Sequence, residues 1–176
     1  MTSRIFKLMT LAIVLMVSAA GVCRAQEPTM EAFLGQTLSK LQGNDPEAIL
    51  NCIAELKRIE AMFPDEETPK FYIALQSLNY AVMNPHADQT ETLVAEAEER
   101  IRQMMELKEV NDVNESNLCT LKGFLYMVRI VQDPAQNGRK YYLDVMENYE
   151  KALKLNPDNE LAKQLQRKFQ EGMQQR

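Results

Sequence analysis

His86 is the only histidine in the chain and sits in "NPHAD", a stretch of turn-forming residues. Imidazole suits general acid or base work near neutral pH, but in that role it serves a nucleophile and is held by an orienting partner. The sequence around His86 offers neither, so it reads as a solvated turn residue. No Cys or His spacing fits a zinc site, and no glycine-rich phosphate loop follows a strand. The acidic run "EAEERIRQMMELKE" over residues 96–109 holds enough carboxylates to suggest a cation. Glu98 and Glu99 stand four and three residues from Arg102, however, where helical ion pairs form, which favours a solvated helix face. These residues argue against an enzyme, and no cofactor or metal is expected.

Other groups are reactive or adhesive by type. Cys52 and Cys119 lie inside apolar helical patterns, where a thiol behaves as a small buried hydrophobe, although an oxidising compartment would permit a bridge. Met104, Met105, Met127 and Met146 recur at helical spacing, as core or as the adaptable groove that methionine permits. "GRKYY", residues 138–142, sets Arg139 and Lys140 beside Tyr141 and Tyr142. Such residues anchor acidic or aromatic partners; otherwise they mark a helix start whose tyrosines pack on the helix before it.

The elements that position these groups begin after a leader. "MTSRIFKLMTLAIVLMVSAAGVCRA" has a positive start at Arg4 and Lys7, an apolar run from Leu8 to Val22, and small residues before a cut after Ala25. The run is short for a membrane span. Export is expected, to the periplasm or outside the cell. Cys23 supplies an alternative, a lipid anchor in the outer membrane, and membrane association is expected only in that case. Residues 26–176 are the size of one domain. The formal net charge of −5 argues against nucleic acid, whose phosphates need a basic footprint.

From residue 28 onward apolar residues recur three and four apart, which predicts an all-α chain. Start signals are Thr29, Asp45 with Pro46, Thr68 with Pro69, Asp88 with Glu91, Asn114, Gly138, and Pro157 with Asp158. They predict helices over 30–42, 46–62, 69–83, 89–108, 115–132, 139–155 and 158–173. The connections are short except "NPHADQ" and "DPAQNG", so consecutive helices should form antiparallel hairpins, three of them with one helix left over.

"LKRIEAMFPDEE" (56–67) aligns with "YEKALKLNPDNE" (149–160), matching Leu56, Ile59 and Pro64 to Tyr149, Ala152 and Pro157. Ile101, Met104 and Glu109 form a weaker middle copy. The steps are 45 residues from Pro64 to Glu109 and 48 from Glu109 to Pro157. Gly35, Ala74 and Gly123 each place a tiny residue mid-helix, where a paired helix can approach closely.

On Leu121, Gly123 and Tyr126 of one helix and Tyr149, Ala152 and Pro157 of the next, the chain resembles the tetratricopeptide-repeat family. The export signal with "GFLYMVRIVQDPAQNGRKYY" and "ALKLNPDN" also resembles small exported repeat proteins of Gram-negative bacteria, for which no activity is implied. The family's unit is about 34 residues, so the longer steps place extensions largely in the two long loops. The resemblance implies a short right-handed TPR-like solenoid of about three helical hairpins, closed by a capping helix with Leu161, Leu165 and Phe169 inside. It implies a protein-interaction or scaffold module whose first helices line a concave face, with Gln76, Asn79, Lys122, Tyr126 and Arg129 as the partner-binding positions. The expected partner is a protein or peptide; the alternative is a structural or accessory subunit of an envelope or outer-membrane assembly, tethered by lipid on Cys23 or docked as a homo-oligomer.

Overall fold

Capping chemistry sets most of the helix starts. In the computed structural model, which describes residues 29–41, 43, 45–107 and 111–174, the helices are α1 (Met30–Leu38), α2 (Pro46–Met62), α3 (Glu67–Met83), α4 (Thr90–Glu106), α5 (Asp112–Gln132), α6 (Pro134–Leu155) and α7 (Glu160–Gln174). No strand occurs among the described residues, so the chain is all-α as expected. The leader, its cut site, Cys23 and the repeat position Glu109 lie outside the described residues.

Thr29 caps α1 by accepting a bond from the Ala32 amide at 3.4 Å, and Asp45 caps α2 through the Glu47 amide at 3.1 Å with Pro46 in the first turn. Asp133 and Pro134 repeat that device for α6, where Asp133 accepts from the Gln136 amide at 3.0 Å. This corrects the expected boundary: "DPAQNG" is a cap and the first helical turns, and Gly138 lies inside the helix. A single residue, Asp133, joins α5 to α6. The stretch expected as a long loop therefore belongs to the helices, 21 and 22 residues long.

Other starts shift for similar reasons. Asn111 caps α5 onto the Asn114 amide at 2.9 Å, three residues before the expected start. Glu66 precedes α3 without a side-chain cap, and Thr68 is already helical. The buried Lys70 closes that corner by donating to the Pro64 and Glu66 carbonyls. The expected Asp88–Glu91 box is not formed. Gln89 precedes α4 without a cap bond, while Thr90 donates to the Asn84 carbonyl and the Tyr80 hydroxyl to Gln89 Oε1 at 3.1 Å. At the other end of α1, Ser39 Oγ bonds the Gln36 carbonyl, which turns the chain well before residue 42.

Sequence neighbours pack as hairpins, α1 with α2, α3 with α4 and α5 with α6, and the second helix of each leans on the next element. In addition α3 packs on α5 and α5 on α7. Lys57 with Glu96 at 2.6 Å and Arg100 with Glu60 at 3.0 Å connect α2 to α4. The main core gathers Leu78, Val94, Leu121, Phe124, Val128, Val145 and Tyr149, and a smaller one under α1 gathers Leu34, Cys52, Leu56, Ile59 and Ile73. The aligned pairs Leu56 and Ile59, Ile101 and Met104, and Tyr149 and Ala152 are all buried.

Tiny residues behave differently at the three positions. A Cβ on Gly123 would lie 2.8 Å from Tyr149 Cε1, so the bare backbone is what admits the ring. Ala74 is fully buried, but Gly35 is exposed with nothing within 4 Å of the same test atom, so close approach is not its purpose. The thiols of Cys52 and Cys119 are free and buried; burial, with Glu55 adding to it, pushes Cys52 up to about 11, far from a reactive thiolate. α7 turns Ala162, Leu165 and Phe169 inward and exposes Gln164, Arg167 and Gln170.

Two glycine variants should therefore move stability in opposite directions. Gly123→Ala gains about 1 kcal/mol of helix propensity and meets an overpacking cost of about 1–3 kcal/mol against a ring that cannot recede, so its urea midpoint should fall. Gly35→Ala meets no obstacle and should raise the midpoint. The Tyr149 hydroxyl is buried without a partner among the described residues, so Tyr149→Phe should not lower it.

Candidate functional site

Helix α3 brings two side-chain amides to the same face, because residues three apart are neighbours on a helix. Asn79 Nδ2 donates to Gln76 Oε1 at 3.2 Å, and Gln76 is only 7% exposed. Their mutual bond leaves the Asn79 carbonyl and the Gln76 amide nitrogen for a ligand. They stand on the wall of a groove of about 380 Å³. Phe124, Met127 and Val131 of α5 face them, with Leu165 and Lys168 of α7 beyond and Leu41 and Ile49 at the near end. A smaller dent of about 90 Å³ adjoins it, sharing Met127, Val131 and Lys168 and adding Ile130, Phe169 and Met173.

The structure does not bring the other three expected partner-binding residues to this groove. At about 100° per residue, Lys122, Tyr126 and Arg129 form one stripe of α5, and Phe124, Met127 and Val131 form the opposite one. Arg129 turns to α4, bonding Glu91 and Glu98 at 2.9 Å each, and Gln132 bonds the other Glu91 oxygen at 2.6 Å. Tyr126 stacks on Tyr141 of α6 with ring centroids 5.3 Å apart, and Lys140 lies 4.5 Å from the Tyr141 centroid. Tyr142 instead meets Phe169 of α7 at 5.6 Å. Lys122 lines a separate hollow with Met104, Met105, Glu115, Cys119 and Lys151. Gln76 and Asn79 are thus a pair in one groove, and the remaining three serve the outer joint of α4, α5 and α6.

The α5 and α7 walls of the groove escape a reading of the sequence. Phe124, Met127 and Val131 are apolar at helical spacing, a pattern that core residues share, and Lys168 belongs to a helix whose polar residues read as an outer face. The opposite stripes of α5 were the available signal.

His86 is exposed in the turn between α3 and α4. No group of three or more His, Cys, Asp or Glu able to hold a metal occurs among the described residues, and no described helix is long and apolar enough to cross a membrane. A hollow of about 410 Å³ lies at the N-terminal ends of α3 and α5 among Asp65, Glu66, Glu67, Phe71 and Tyr72. Burial raises the Glu67 carboxyl there, and Asn114 donates to it at 2.6 Å. No family model, curated protein or solved structure matches the chain.

The joint between α4 and α5 should weaken in acid. Hydrogen bonds from Arg129, with Gln132 adding to them, hold the Glu91 carboxyl below its ordinary value. Its contribution is complete above the unfolded carboxyl pKa of about 4.3 and disappears as pH falls through the lower folded value. Glu91 is 70% exposed, so screening keeps the effect below about 1 kcal/mol. The urea midpoint of Arg129→Gln should lie under the native one at pH 7, with the gap shrinking below about pH 4 and in molar salt.

Proposed function

We propose that this chain is a protein-interaction module that holds an extended segment of a peptide or partner protein in the groove between α3, α5 and α7, without catalysis. The observation that carries the reading is the bonded Gln76–Asn79 pair set opposite apolar walls. An extended backbone has a donor and an acceptor at nearly every residue and, unlike a helix, leaves them unpaired. Side-chain amides carry both functions, so they can meet a backbone without selecting its side chains. Apolar walls add area, and hydrogen bonds strengthen where water is thinned out. A groove of this volume falls within the range of ligand sites, about 300–1,000 Å³.

The packing order supports a short right-handed TPR-like solenoid. The first helices of the second and third hairpins touch each other, the latter also touches α7, and all three line one groove, while ion pairs join α2 to α4. One hairpin of this kind cannot bury its apolar face alone, which gives stacking its driving force. The leader pattern supports export and cleavage after Ala25, with Cys23 lipidation as the competing route; intact mass of the mature chain distinguishes them.

Phage-displayed peptides selected on the mature protein should identify ligands that Asn79→Ala weakens about tenfold or more, since a buried backbone group left unpaired costs about 1–3 kcal/mol. The Lys122→Ala variant should bind them normally. Ligands indifferent to Asn79→Ala and lost with Lys122→Ala would move the site to the joint of α4, α5 and α6.

A further inference from the structure

We infer that the hollow at the N-terminal ends of α3 and α5 binds a guanidinium group, with its face on the rings of Phe71 and Tyr72 and its N–H edge on the Glu67 carboxylate. The site is separate from the groove and does not depend on the peptide reading.

Two half-buried aromatic rings form one corner of the hollow. Phe71 and Tyr72 meet at 79° with centroids 5.4 Å apart, so they offer a ligand two surfaces at nearly a right angle. Ring faces attract cations. Tyr141 already has Lys140 over its ring, whereas no described cation lies over Phe71 or Tyr72.

Asp65, Glu66 and Glu67 stand round the same hollow, and no described lysine or arginine lines it. At a helix start such carboxylates ordinarily bond free amides. Glu66 makes no such bond, and Glu67 reaches across to α5, where Oε2 accepts from Asn114 Nδ2 at 2.6 Å. That bond fixes the carboxylate and leaves Oε1 for a ligand. Burial alone raises the Glu67 carboxyl, as expected of a charge desolvated with no cation to offset it. The opposing charges are smaller. Each helix start carries about half a positive charge, and the buried Lys70 spends its ammonium on the Pro64 and Glu66 carbonyls. Three carboxylates outweigh these and keep anions out.

The type of cation follows from the arrangement. Among the described residues no three carboxylates converge into a group that could hold a metal ion. A primary ammonium is a compact, strongly hydrated point charge. A guanidinium is planar and weakly hydrated, and it donates along its edge to a carboxylate while its face stacks on a ring. It therefore meets Glu67 and the aromatic corner together.

Calorimetric titration of the mature protein with acetyl-Gly-Arg-Gly-amide, its lysine counterpart and agmatine tests the assignment. The arginine peptide should bind about tenfold more tightly than the lysine one. Glu67→Gln should weaken it about tenfold or more, and Tyr72→Leu about threefold or more. Glu67→Gln keeps an acceptor for Asn114 and removes a desolvated charge, so its thermal midpoint should not fall. Asn79→Ala, in the groove, should leave the arginine titration unchanged. Agmatine binding as tightly as the peptide would assign the guanidinium to a free small molecule; agmatine failing where the peptide binds would assign it to a polypeptide side chain. Equal binding of arginine and lysine, no binding of any probe, or an arginine titration indifferent to Glu67→Gln or to Tyr72→Leu would overturn the proposal, and none of these outcomes touches the groove.

Discussion

The ring of Tyr149 lies so close to the backbone of α5 that residue 123 has no room for a Cβ, and this contact fixes how α5 and α6 meet. Tyr149 and Leu121 are both fully buried at the joint. Once α6 is pressed against that side, the rotation of α5 about its own axis is set. Arg129 must then reach α4, Tyr126 must stack on Tyr141, and Phe124, Met127 and Val131 must face the other way. The groove is a consequence of that rotation: the helix gives its polar stripe to an internal joint and an apolar stripe to the open side.

The opposite wall depends on a polar network. Asn159, 7% exposed, donates from Nδ2 to Ser116 Oγ at 2.9 Å and Thr120 Oγ1 at 3.1 Å, and its Oδ1 caps α7 through the Ala162 amide at 3.0 Å. Ser116 Oγ in turn donates to the Ala152 carbonyl at 2.8 Å. One side chain thereby ties α5, α6 and α7 at a single point. Buried polar groups are costly when unpaired, and here each finds a partner, so the network specifies one seating for α7 rather than a family of them. From that seating Leu165 and Lys168 project beside the α5 stripe.

Helices and their order were legible in the sequence because periodicity and caps are local signals. Asp45 with Pro46 announces α2, and the identical pair Asp133 and Pro134 carries the same signal for α6, five residues before Gly138. The one-residue link between α5 and α6 followed from that pair and from nothing longer in range. Gln76 and Asn79 were legible as polar residues on a first helix, and the structure brings them together. Lys122, Tyr126 and Arg129 share the first-helix position with that pair, but position along a helix does not encode the rotation that Gly123 and Tyr149 impose, and the three lie on the other stripe of α5. The apolar wall could not be distinguished from core, since burial against a neighbouring helix and exposure to a groove demand the same residue types. The cap that Asn159 makes to the Ala162 amide is local, but its bonds to Ser116 and Thr120 join residues 43 and 39 apart in sequence, and no local pattern contains them.

The methionines make the central claim directly measurable, because they are distributed on both sides of α5. Met83 and Met127 line the groove, and Met173 lines the adjoining dent, whereas Met104 and Met105 line the hollow beside Lys122. Methyl carbon NMR of methionine-labelled protein, titrated with a selected peptide ligand, reads both sides in one spectrum. Occupancy of the groove predicts shifts at Met83, Met127 and Met173 with Met104 and Met105 unmoved. Shifts at Met104 and Met105 with silent groove methyls would contradict it and place the binding surface on the far side of α5.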